Sequence, residues 1–110
     1  MSKKKKSPKT NKYDNLSKPQ AEFDFHDLGV LTPKEIRDHV WDFLKTAKSR
    51  GLNKVIIITG KGLHSKNGAP VVKPTVKKYL ESKPFVTRVY EGRRDRGGAG
   101  ALEVVLDWDQ

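Results

Sequence analysis

The sequence predicts an α/β fold: a two-layer β-α-β-α-β-β sandwich built on a four-stranded mixed sheet. Three observations point there. Val55-Ile56-Ile57-Ile58 is an apolar run that ends abruptly at Thr59-Gly60-Lys61-Gly62, the pattern of a central strand buried on both faces and stopped by a turn. Two amphipathic helical stretches flank it. Short alternating or apolar runs stand before the first helix and after the second.

The chain has 110 residues, which suits one domain with a single modest core. Residues 1–20 carry seven lysines (3, 4, 5, 6, 9, 12 and 18) against Asp14, with Pro8 and Pro19 interrupting them. Such a segment buries too little apolar surface to offset its ordering entropy, so it is read as a disordered basic tail. The domain is expected over 21–110.

Glu22-Phe23-Asp24-Phe25-His26 alternates with period two. Phe23 and Phe25 fall on one face, toward the core, and Asp24 and His26 on the other. After Asp27-Leu28-Gly29-Val30-Leu31, a helix begins at Thr32-Pro33-Lys34-Glu35. Thr32 suits the N-cap, Pro33 the first helical position, and Glu35 completes a capping box. Ile36, Val40, Phe43, Leu44 and Ala47 form its apolar stripe, bordered by Trp41, and Gly51 stops it.

The isoleucine strand follows, then a loop from Ser65 to Pro70. A second helix is expected from about Val71 to Ser82, with Val72, Val76, Tyr79 and Leu80 inward. Pro74 must then lie in its first turn, where a missing N–H does little harm. Strands over Val86–Tyr90 and Ala101–Leu106 close the chain, joined by Glu91-Gly92-Arg93-Arg94-Asp95-Arg96-Gly97-Gly98-Ala99-Gly100. Right-handed crossovers make the first three strands parallel, and the short last connection makes the fourth antiparallel to the third. The segments around His26, Lys61 and Arg93–Gly100 then share the edge at the C-terminal ends of parallel strands, where such sheets bind ligands.

Composition narrows the chemistry. There is no cysteine, which removes disulfides, thiolate metal sites and a cysteine nucleophile, and fits a reducing cytoplasm. No apolar run approaches the roughly 18 residues of a membrane helix, and the basic N-terminus has no apolar segment behind it, unlike a secretory signal. The net charge is +10, of which the first twenty residues carry +6. That balance points to polyanions, nucleic acid before anionic membrane, although lysines also simply keep small proteins soluble. No obligate protein partner is indicated.

Asp24 and His26 are the candidate acid/base pair, since an imidazole takes or gives a proton near neutral pH. The plainer alternative is a strand-end pair that hydrogen-bonds the adjacent loop. Thr59-Gly60-Lys61-Gly62 is either a backbone nest for an anion, with Lys61 as point charge, or a tight turn needing positive φ. Its spacing is not that of a Walker loop. Arg93, Arg94 and Arg96 add guanidinium forks for phosphates ahead of the glycine cluster Gly97, Gly98 and Gly100. His64 is a second imidazole or a polar loop residue. Asp24, His26, Asp27 and His64 are too few for a two-metal site and leave room for at most one loosely held Mg²⁺ or Mn²⁺. No row of aromatics marks a stacking platform for single strands.

Taken together, these segments resemble the small MutS-related (Smr) domain family. That family's pattern is an L-D-x-H-G motif, a T-G-x-G or H-G-x-G turn after the second strand, and G-G-x-G-A-L before the last strand. Here they read Phe23-Asp24-Phe25-His26-Asp27, Thr59-Gly60-Lys61-Gly62-Leu63-His64-Ser65 and Gly97-Gly98-Ala99-Gly100-Ala101-Leu102, a match over residues 22 to 107. The resemblance implies a sandwich like the C-terminal domain of a translation initiation factor. It also implies nicking or structure-selective endonuclease activity on DNA, RNA or both, with Asp24 and His26 in cleavage. Thr59, Gly60, Lys61 and Gly62 would handle substrate. The departure is Asp27, which stands where the family has glycine and either ligands a metal or repels the phosphate. A non-catalytic nucleic-acid-binding module, associated with ribosomes, is the alternative.

Overall fold

The computed structural model describes residues 18–60, 71–92 and 100–109. Six elements follow one another as β1 (Glu22–Asp24), α1 (Pro33–Ser49), β2 (Lys54–Ile58), α2 (Val72–Glu81), β3 (Val86–Glu91) and β4 (Ala101–Leu106). The sheet order is β1-β2-β4-β3. β1 and β2 pair in parallel, and β4 runs antiparallel to both β2 and β3. The expected directions therefore hold, and the last strand slots between the second and third. Pairing of β3 with β4 is irregular between Val86 and Arg88, a bulge at Thr87.

Local chemistry sets the helices. Thr32 Oγ1 accepts from the Glu35 N–H at 3.1 Å, and Glu35 Oε1 accepts from the Thr32 N–H at 2.8 Å. Both orphan donors of the first turn are thus satisfied by side chains. The chain leaves α1 through Gly51 at φ 68°, a conformation that favours glycine. In α2, Pro74 lies in the first turn, as its missing donor requires.

Both helices cover one face of the sheet. Ile36, Val40, Leu44 and Ala47 of α1 and Val72, Val76 and Leu80 of α2 pack on Phe25, Val55, Ile57, Leu102, Val104 and Leu106. β1 is held to α1 by rings: Phe23 lies 5.0 Å from Phe25, 5.8 Å from His39 and 5.5 Å from Phe43. Gln20, which composition assigns to the tail, is hydrogen-bonded to the start of β2. Its side-chain oxygen accepts the N–H groups of Asn53 and Lys54 at 2.7 and 2.9 Å, and its own N–H donates to the Lys54 carbonyl.

The opposite face carries Lys54, Ile56, Glu103 and Tyr90. Lys54 Nζ sits 3.3 Å from Glu103 Oε1, with side chains 5% and 0% exposed. The ammonium also lies 5.3 Å from the Tyr90 ring centroid, and the Tyr90 hydroxyl is 3.4 Å from Glu103. Two charges removed from water are tolerable only when each satisfies the other.

Two stability predictions follow from these contacts. Glu103→Gln or Lys54→Met alone should cost about 3–5 kcal/mol in urea unfolding, because the remaining charge stays buried. The paired Lys54→Met, Glu103→Leu change should be near neutral; single losses below about 1 kcal/mol would mean these charges reach water. At the helix start, the hydrogen bonds from Thr32, backbone first, hold the Glu35 carboxyl below its ordinary range. That contribution is present above the unfolded-state value and lost as pH falls through the folded one. The melting-temperature gap between wild type and Glu35→Gln should therefore narrow on acidification below about pH 4.

Candidate nucleic-acid interface

The site forms because four strands end together. Asp24 is registered to Ile58, and Ile58 to Ala101, while the Gly92 N–H donates to the Ala101 carbonyl at 2.9 Å. With strands about 4.8 Å apart, the first turn lies roughly 10 Å from the segment entering β4. The turn after β2 lies between them.

A single acceptor ties that middle turn to its neighbour. The Gly100 carbonyl receives the N–H groups of Thr59 and Gly60, each at 2.9 Å, and the buried Thr59 hydroxyl at 3.3 Å. These two amides are therefore engaged within the fold and are not open donors for an anion. Gly60 adopts φ 77°, a conformation open to glycine with no Cβ penalty. Lys61, Gly62, His64, Arg93, Arg94, Arg96, Gly97 and Gly98 lie outside the described residues.

The first turn is arranged differently from a simple period of two. β1 ends at Asp24, and the Phe25 N–H still donates to the Ile58 carbonyl at 2.9 Å. The Asp24 carboxylate then bends forward to accept the His26 backbone N–H at 2.8 Å, an Asx turn. The His26 ring is 73% exposed, and its Nδ1 meets the carboxylate of Asp27 at 3.2 Å. Asp24 thus fixes the backbone of residue 26, and Asp27 contacts the imidazole. Sequence reasoning gave Asp27 to a metal or to the phosphate; the signal for this pairing was the adjacency of His26 and Asp27 in the chain.

The ring therefore has Nδ1 beside the Asp27 carboxylate and most of its surface open to solvent, a placement from which an imidazole can exchange protons with a ligand. Among the described residues, no group of three metal-ligating side chains converges. Asp24 and Asp27 each direct one carboxylate oxygen to the His26 amide and ring respectively.

Gly60→Ala should destabilise by about 1–2 kcal/mol, since an L-residue is strained at this φ. Thermal unfolding reads the change, and an unshifted melting temperature would mean the turn relaxes freely.

Comparisons with known proteins agree with this architecture. The Smr domain pattern matches residues 26–107, from the exposed histidine to the residue after β4. A Treponema pallidum protein described as uncharacterized is 38% identical over 88 residues, 80% of this chain and 42% of that protein. The chain thus spans less than half the length of that relative. YdaL, a stand-alone small MutS-related protein from Escherichia coli, has 31% identity and a TM-score of 0.67, over 80% of this chain and 66% of that one. The Smr domain of Thermus thermophilus MutS2 shares the fold with a TM-score of 0.63 and 24% identity, over 79% and 98% of the two chains. By sequence pattern and by fold, the chain belongs to the Smr domain family.

Proposed function

We propose that the protein binds nucleic acid along the strand-end edge and cleaves phosphodiester bonds there as an endonuclease, nicking or structure-selective. The observation that carries this reading is the His26 turn: an exposed imidazole, held at Nδ1 by Asp27 and placed by the Asp24 hydrogen bond to its backbone. Membership of the Smr family, associated with nucleic-acid binding and nuclease-related roles, supports it, as does the net charge of +10.

In this reading Nε2 of His26 takes the proton from water, or from a 2′-hydroxyl when the substrate is RNA. Oxygen then attacks phosphorus, the P–O bond to the leaving sugar oxygen breaks, and that oxygen takes a proton from solvent. Lys61 and the arginines 93, 94 and 96 offset charge on the phosphate, and Gly97, Gly98 and Gly100 let backbone approach it. Asp24 is a positioning residue acting through the His26 amide. The lysine-rich N-terminus adds affinity that is independent of sequence and falls with salt. No step is routed through a metal. Among the described residues, no helix is long and apolar enough to cross a membrane; a cytoplasmic location is part of the proposal.

The test compares wild type, His26→Ala, Asp24→Asn and Asp24→Ala on supercoiled plasmid and structured RNA, with EDTA, Mg²⁺ or Mn²⁺. His26→Ala should abolish cleavage and leave binding nearly intact. Asp24→Asn keeps an acceptor for the backbone N–H and should retain more activity than Asp24→Ala. Equal cleavage by wild type and His26→Ala overturns the assignment. Binding without cleavage under every condition would leave the non-catalytic module.

A further inference from the structure

A second surface lies at the other end of the sheet. Phe85 immediately precedes β3 and Trp108 follows β4, so both sit opposite the strand-end edge that carries His26. The length of β3 separates the two ends by roughly 20 Å. There the structure assembles a row of rings from four separate segments. Trp41 of α1 lies 6.4 Å from Phe85, and Phe85 lies 4.8 Å from Trp108. On the other side, Lys83 Nζ stands 5.5 Å from the Trp41 ring and 4.5 Å from that of Tyr79 on α2.

Trp108 is anchored, its indole N–H donating to the Leu52 carbonyl at 2.6 Å, and it supports Phe85 from behind. Trp41 is 40% exposed, far more than a ring that serves only the core. Its surroundings are cationic. Arg37 and Lys48 fall one turn before and two turns after Trp41 on the same exposed flank of α1. Among the described residues, Arg37, Lys48 and Lys83 enter no salt bridge, whereas Lys34 and Lys45 of α1 pair with Asp38 and Asp42.

A partly exposed ring beside cations that, among the described residues, enter no salt bridge suits a ligand that presents a flat π-face and a negative backbone at a short repeat, the base displacing the Lys83 ammonium from the ring face. Single-stranded nucleic acid has both, and an apolar protein surface would leave the cations desolvated and unmatched. We infer that the Trp41 surface is a second nucleic-acid contact, where an unpaired base stacks on Trp41 and its flanking phosphates meet Arg37, Lys48 and Lys83. Only Trp41 of these rings is exposed, and the sequence did not show its neighbours because they sit far apart in the chain. This surface does not rest on the cleavage reading. A chain that never cuts can still use it.

The experiment titrates the full chain with an oligothymidine of about ten nucleotides and, separately, with inorganic polyphosphate of matched charge, following tryptophan emission. The oligonucleotide should quench the wild type, Trp41→Phe should lose most of that quench, and polyphosphate should produce none. Trp41→Ala should bind the oligonucleotide roughly tenfold more weakly, with Trp41→Phe recovering part of the loss. Its affinity for polyphosphate should be unchanged, and its circular dichroism spectrum and melting transition should match the wild type. An unquenched wild type at saturation, equal quenching by polyphosphate, or Trp41→Ala binding as wild type would each overturn the inference. The first of these, with Trp41 buried instead by an added protein, would assign the face to protein docking.

Discussion

One carbonyl oxygen, that of Gly100, decides where the functional segments stand. It accepts two N–H groups and a hydroxyl from Thr59-Gly60, so the turn leaving β2 and the turn entering β4 move as one unit. A buried backbone acceptor with three donors is hard to replace, because water is excluded and any loss leaves polar groups unpaired. β1 then adds the histidine turn through the Phe25–Ile58 hydrogen bond. The ends of three stretches separated by tens of residues are brought to one edge by main-chain atoms.

Much of this was legible in the residues themselves. Thr32-Pro33-Lys34-Glu35 encodes its helix start through local hydrogen bonds, and Gly51 encodes the exit through its backbone freedom. The isoleucine run marked β2 as central because no solvated strand tolerates apolar side chains on both faces. The strand directions followed from connection lengths. The position of β4 between β2 and β3 did not, since both antiparallel neighbours suit a short connection and only the packed sheet chooses between them. The burial of Lys54 and Glu103 was not legible, since it depends on each finding the other across neighbouring strands.

The site shows the same division. The Asp24-x-His26 spacing suggested two side chains on one face, and the structure directs the carboxylate to the backbone instead. A short acidic side chain at a strand end competes for the next free N–H, and that local bond wins over a reach to the ring. The imidazole is left to Asp27, its sequence neighbour. The residue that departs from the family pattern is thus the one in contact with the ring.

The sheet's two borders have a consequence for association. On one side the outermost strand is only three residues long. On the other, the outermost strand is kinked by its irregularity at Thr87. A neighbouring molecule seeking to extend the sheet finds too few free amides at the first border and a twisted ladder at the second. Self-templated stacking into fibrils is discouraged at both borders, so copies of the protein can be concentrated together without adhering strand to strand.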